Sequence, residues 1–114
     1  MQPTIAERLE HISTAIANIR QFTTGQTRES FERDIIVRLA VERLLEVISE
    51  ASRHIPVETK SHEPHIDWRR LADLGNHLRH AYHETDAGLL WAMIENDLGP
   101  LARSIERIAK ESNH

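Results

Sequence analysis

The run Ile35-Ile36-Val37-Arg38-Leu39-Ala40-Val41-Glu42-Arg43-Leu44-Leu45-Glu46-Val47-Ile48-Ser49-Glu50-Ala51 contains no glycine or proline, and its apolar residues recur at helical intervals. Projected at about 100° per residue, Ile36, Val37, Ala40, Val41, Leu44, Val47, Ile48 and Ala51 form one broad face, while Phe31, Ile35 and Leu39 form another. A helix apolar over so wide an arc packs against several neighbours, so the run predicts a central bundle helix that starts at Thr27 or Ser30 and ends near Arg53. The patch of Phe31, Ile35 and Leu39 suits a second copy of the chain, giving a two-fold homodimer. A central helix with three neighbours in its own monomer accounts for it almost as well.

Towards the N-terminus, Thr4 and Glu7 have capping-box spacing, and Ile5, Leu9, Ile12, Ile16 and Ile19 form a narrow seam. They predict a first helix over 4–23, with Gly25 as a left-handed residue beyond it. Towards the C-terminus, Pro56 and Pro64 bracket a polar connection over 54–66 that should be a surface loop. Asp67 then caps a third helix running to about His83, with Trp68, Leu71, Leu74, Leu78 and Ala81 inward. Gly75 in its middle costs about 1 kcal/mol against alanine, which implies a close approach of backbone, partner or ligand. Thr85 or Asp86 opens a fourth helix with Leu89, Leu90, Trp91, Met93 and Ile94 buried; Pro100 breaks it near 97–99, before a last helix with Leu101, Ile105, Ile108 and Ala109 inward. The expected fold is all-α, a four- to five-helix up-down bundle in one domain spanning 1–114.

Fourteen Lys and Arg against 18 Asp and Glu leave a net charge of −4, so any contact with nucleic acid must be local. The absence of cysteine excludes a disulfide framework and a thiol nucleophile. No apolar run approaches the roughly 18 residues of a membrane span, so a cytoplasmic protein with no membrane partner is expected.

The chemistry is densest in Gly75-Asn76-His77-Leu78-Arg79-His80-Ala81-Tyr82, where helical spacing makes His77 and His80 neighbours while Leu78 and Ala81 face inward. Arg69 and Arg70 upstream form, with Arg79, a basic strip suited to a phosphate backbone, although Asp67, Asp73, Glu84 and Asp86 also suit plain salt bridges. An imidazole can take a proton from a ribose 2′-hydroxyl or return one to a leaving 5′-oxygen, and a guanidinium can stabilise the phosphorane, so such chemistry needs no cofactor and no metal. A metal site is the competing use of the histidines: His77, His80 and His83, with His62 and His65 in the preceding connection, offer five imidazoles, but cysteines and His–Glu pairs at metal-binding spacings are lacking. Without further context His80 reads as a solvent-facing imidazole and Tyr82, the single tyrosine, as a helix-end packing residue.

That octapeptide resembles the motif of the HepT-like branch of the HEPN helical proteins, with Asn76, Leu78, His80 and Tyr82 standing where the family has Asn, Leu, His and Tyr. The family signature reads Arg, four residues, His, one residue, Tyr; aligned on His80 and Tyr82 it puts Gly75 in the Arg slot, and Arg79 offers the charge from within the motif. Arg70 and His77 give a second Arg-to-His spacing that lacks the following tyrosine. Ala40-Val41-Glu42-Arg43 with Ser49-Glu50-Ala51 resembles the family's second helix, whose Glu before Ala borders the site, so Glu50 joins Gly75 as a supporting residue.

The resemblance runs from about Arg33 to Leu101. It implies a homodimeric, toxin-type, metal-independent endoribonuclease of a type VII-like toxin–antitoxin pair, cleaving RNA at a composite dimer cleft. His80, Arg79 and Asn76 would be catalytic, and Arg69, Arg70 and His77 would bind RNA. It further implies AMP transfer to Tyr82 from a cognate MntA-like minimal nucleotidyltransferase antitoxin, adding charge and bulk beside His80 and Arg79. The alternative is a catalytically inactive HEPN binding module that lost RNase activity with the arginine and docks the nucleotidyltransferase.

Overall fold

A computed structural model describes residues 2–79 and 86–112. Seven helices, and no strand, occur among them: α1 Ile5–Phe22, α2 Arg28–Arg33, α3 Ile35–Arg53, α4 Val57–Ser61, α5 Trp68–Arg79, α6 Ala87–Asn96 and α7 Leu98–Ser112. Five are long, within the four to five that the apolar periodicity implies, and α2 and α4 are short additions to them. Central α3 packs against α1 and α5, while α7 packs on α1 and α6, and α2 on α6. The expected end of the third helix, residues 80–83, lies outside the described residues.

Local chemistry sets the helix ends. Glu7 N–H donates to Thr4 Oγ1 at 3.1 Å and Thr4 N–H to Glu7 Oε2 at 2.8 Å, closing the capping box that starts α1. Beyond α1, Gly25 has a φ of 77°, in the left-handed region that glycine enters freely. Asp67 Oδ1 accepts from Arg70 N–H at 3.0 Å at the start of α5, and Asp86 Oδ1 accepts from Gly88 and Leu89 N–H at the start of α6. Pro100 falls in the first turn of α7, where its missing N–H has no helical partner to lose, so the break comes at Asp97.

The single helix expected from Thr27 or Ser30 to Arg53 is in fact two. Asp34 ends α2 and caps α3, its Oδ1 accepting from Val37 N–H at 3.1 Å and its Oδ2 from Gln26 Nε2 at 3.2 Å. A short carboxylate that bonds backbone N–H groups competes with helix continuation. The break turns Phe31 into the core, fully buried with its ring 5.3 Å from that of Trp91. Phe31 therefore does not belong to an outer patch with Ile35 and Leu39. Ile36, expected on the inward face, is instead 78% exposed, beside the exposed Ile35 and Leu39. The buried face of α3 is Val41, Leu45, Ile48 and Ala51. Two further residues expected inward, Ile5 and Leu89, are also exposed.

The connection over 54–66 is more than a surface loop. It contains α4, buries Ile55 and brings the Lys60 ammonium over the Trp68 ring. The buried Glu63 carboxylate accepts from Arg107 of α7, Nη2 to Oε1 at 2.6 Å and Nε to Oε1 at 3.1 Å. The Trp68 indole N–H donates to the Glu63 carbonyl at 3.1 Å.

Candidate functional site

Gly75 fixes how α5 presents its polar residues. Its N–H donates to Ser49 Oγ of α3 at 3.0 Å, and Ser49 Oγ donates to the Ala72 carbonyl at 2.9 Å. Arg53 donates to that same carbonyl, Nη2 at 2.9 Å and Nε at 3.2 Å. A Cβ at position 75 would stand 2.6 Å from Ser49 Oγ and 2.9 Å from Ser49 Cβ. The close approach expected at this glycine is thus the antiparallel crossing of α3. With Gly75 and Leu78 turned inward, Arg69, Arg70, Asp73, Asn76, His77 and Arg79 are left exposed.

Alongside α5, a cleft of about 780 Å³ opens against α6 and the start of α7. Its floor is apolar, with Leu71, Leu74, Leu89, Met93 and Leu101, and Arg69, Arg70, His77 and His65 stand around it together with Asp67, Asp73 and Asp97. The exposure of Leu89 is explained here, because it faces this cleft. Two arginines and three aspartates share the lining, so the positive charge of the cleft is confined to Arg69 and Arg70 at the start of α5.

The residues singled out in the sequence do not all meet in one place. Arg69, Arg70 and His77 share the cleft. Asn76 and Arg79 follow Ala72 and Gly75 by one helical turn, so they lie on the flank nearest α3 and do not line the cleft. His80 and Tyr82 lie outside the described residues. Glu50 is exposed on α3 and pairs with His54 at 3.1 Å; the hydrogen bond from that imidazole holds its carboxyl below the usual glutamate value. Of the five imidazoles weighed as metal ligands, His80 and His83 are not described, and only His65 and His77 share the cleft. Among the described residues no three His, Asp or Glu side chains gather into a group able to hold a metal ion.

Two features carry no local sequence signal. Arg53 brings a guanidinium to the turn of α5 that leads into Asn76, since the carbonyl it bonds is the helical acceptor for Asn76 N–H. The second is a polar cluster built from the 54–66 connection and α7. Ser104 Oγ lies 3.0 Å from His65 Nε2, and Arg107 Nη2 lies 3.2 Å from the same nitrogen and 3.1 Å from Ser104 Oγ. Ser104 is fully buried and Glu63 nearly so.

The Ribonuclease HepT-like family model matches residues 12–108. The chain belongs to the ribonuclease HepT-like family. It is 38% identical over 102 residues to the protein named Probable ribonuclease HepT in Thermococcus cleftensis, covering 90% of this chain and 93% of that one. A Methanocaldococcus jannaschii protein whose name joins a gamma-glutamylcyclotransferase to an RNase is 31% identical over 103 residues, covering 90% of this chain and 46% of that protein. Another protein of that organism, named as an RNase, is 32% identical over 89 residues, 78% of this chain and 82% of the relative. No solved structure matches the chain. The family match takes in α3, α5 and α6 entire and with them the cleft, so the HepT-like, all-α HEPN assignment covers more of the chain than the motif resemblance alone. Among the described residues no helix is long and apolar enough to cross a membrane.

Proposed function

We propose that this HepT-like domain is a cytoplasmic, metal-independent endoribonuclease of a toxin–antitoxin pair. In the proposed reaction an imidazole, with His80 the first candidate, takes the proton of a ribose 2′-hydroxyl. The 2′-oxygen attacks the adjacent phosphorus, and the P–O5′ bond breaks as the imidazolium returns its proton to the 5′-oxygen, leaving a 2′,3′-cyclic phosphate. Arg79 and Asn76 stabilise the charge that develops on the phosphorane, while Arg69, Arg70 and His77 hold the strand. The observation that carries the reading is the convergence of Arg69, Arg70 and His77 on one cleft of a chain in a ribonuclease family. RNA cleavage in a chelating buffer tests it. Wild type should cut and His80→Ala should not, whereas uncut RNA with both proteins would remove the activity.

The homodimer and the regulation belong to the same proposal. The exposed Ile35, Ile36 and Leu39 on α3 supply an apolar surface for a second copy, and two copies would form the composite cleft. A minimal nucleotidyltransferase antitoxin would transfer AMP to the Tyr82 hydroxyl, blocking RNA phosphate by repulsion and bulk. Intact-mass measurement after co-expression with a neighbouring nucleotidyltransferase should show one or more AMP units, absent in Tyr82→Phe. The inactive binding module is the second reading, supported by the glycine that fills the motif arginine's slot and packs on Ser49. Partner binding by a wild-type protein that leaves RNA intact would select it.

A further inference from the structure

His65 is not part of the family motif, yet three side chains, two of them buried, are arranged around one of its nitrogens. The Glu63 carboxylate holds the Arg107 guanidinium through Nε and Nη2, and Nη2 reaches both Ser104 Oγ and His65 Nε2. Glu63 Oε1 lies 3.7 Å from the same Nε2, so the cluster occupies Nε2 from one side, and the guanidinium, which can only donate, favours Nε2 as acceptor with a ring hydrogen on Nδ1. The His65 side chain is 49% exposed and lines the cleft, so Nδ1–H is the donor left for a ligand.

The position along α5 says what that donor can reach. His65 lies just before α5, and His77 is the tenth residue of the helix, about 14 Å of rise from its start. That is too far for both imidazoles to bind one phosphate. Arg69 and Arg70 lie between them on the same cleft. Single-stranded RNA laid along the cleft would meet His77 at one nucleotide and His65, with Arg69 and Arg70 on its side at the start of α5, at another.

We propose that His65 forms a second phosphate subsite for single-stranded RNA, its Nδ1–H donating to a phosphate oxygen one or more nucleotides away from the phosphate near His77. Glu63, Arg107 and Ser104 are its positioning residues. The inference rests on the reading of the cleft as an RNA site.

The test uses the full chain labelled with ¹⁵N in its imidazoles and two uncleavable probes, a 2′-O-methylated RNA octamer and the corresponding dinucleotide. Free protein should show the Nδ1–H pattern for His65. The octamer should shift His65 and His77, and the dinucleotide His77 alone. His65→Ala should weaken the octamer about 3- to 10-fold, the effect of one lost hydrogen bond, and leave the dinucleotide unchanged. His65→Asn, which keeps an N–H near the Nδ1 position, should restore most of the affinity. A shift of His77 without one of His65, or equal losses for both probes in His65→Ala, overturns the subsite and leaves the RNA reading standing. No shift of either histidine overturns both.

Discussion

Ser49 occupies the space that a side chain at position 75 would need, and this single contact decides what can be changed on the motif helix. Alanine is ordinarily the better helix former by about 1 kcal/mol, but over-packing costs roughly 1–3 kcal/mol. Gly75→Ala should therefore lower stability on balance, because the clash is with Ser49 Cβ, which cannot swing away. Urea unfolding measures this, and an alanine variant more stable than wild type would contradict the packing argument. The same geometry means that Gly75→Arg should destabilise the domain and fail to restore a motif arginine. For the exposed cations the expectation reverses. Arg79→Ala should weaken RNA binding or cleavage while moving unfolding free energy by no more than about 0.5 kcal/mol. Unchanged activity in Arg79→Ala with a loss in Arg70→Ala would transfer the role to the arginine that lines the cleft.

The pair of Glu63 and Arg107 ties the 54–66 connection to α7, and it makes that tie pH-dependent. The hydrogen bonds from Arg107 hold the Glu63 carboxyl below its ordinary value of 4.5. A group whose pKa is depressed on folding stabilises the fold above its unfolded value, and that contribution fades as pH falls through the folded one. Wild type should thus lose thermal stability on acidification below about pH 4.5, and Glu63→Gln, already without the charge, should show a flatter acid limb; parallel curves would exclude this pair as a cause. Helix ends were legible in the sequence where a capping residue stands just ahead of an apolar run with none before it, as at Thr4, Asp67 and Asp86. The break at Asp34 was not, since the apolar period runs on either side of it and the carboxylate wins by bonding Val37 and Gln26. The tie to α7 was hidden because Glu63 and Arg107 are 44 residues apart. In the site, the strip expected of Arg69, Arg70 and Arg79 divides, with Arg69 and Arg70 joining His77 on the cleft and Arg79 left off it. The separation of Asn76 and Arg79 from that cleft depends on the rotation of α5, which the Gly75–Ser49 crossing sets.

At the scale of the molecule, Ile35, Ile36 and Leu39 together leave a broad apolar surface on the first turns of α3. Light scattering should give twice the 13.1 kDa chain mass at high micromolar concentration, and Ile36→Glu should halve it without unfolding the monomer. A wild-type mass that stays at that of one chain would remove the composite cleft from the account. RNA cleavage by an acidic bundle at the cleft that gathers Arg69, Arg70 and His77 is the central claim, and the termini of the products test it most directly. Mass spectrometry of RNA treated with purified protein in a chelating buffer should show 5′-hydroxyl ends with 2′,3′-cyclic or 3′-phosphate partners, none of them with His80→Ala and none from DNA of the same sequence. Uncut RNA at stoichiometric protein, or the same fragments from His80→Ala, would contradict it.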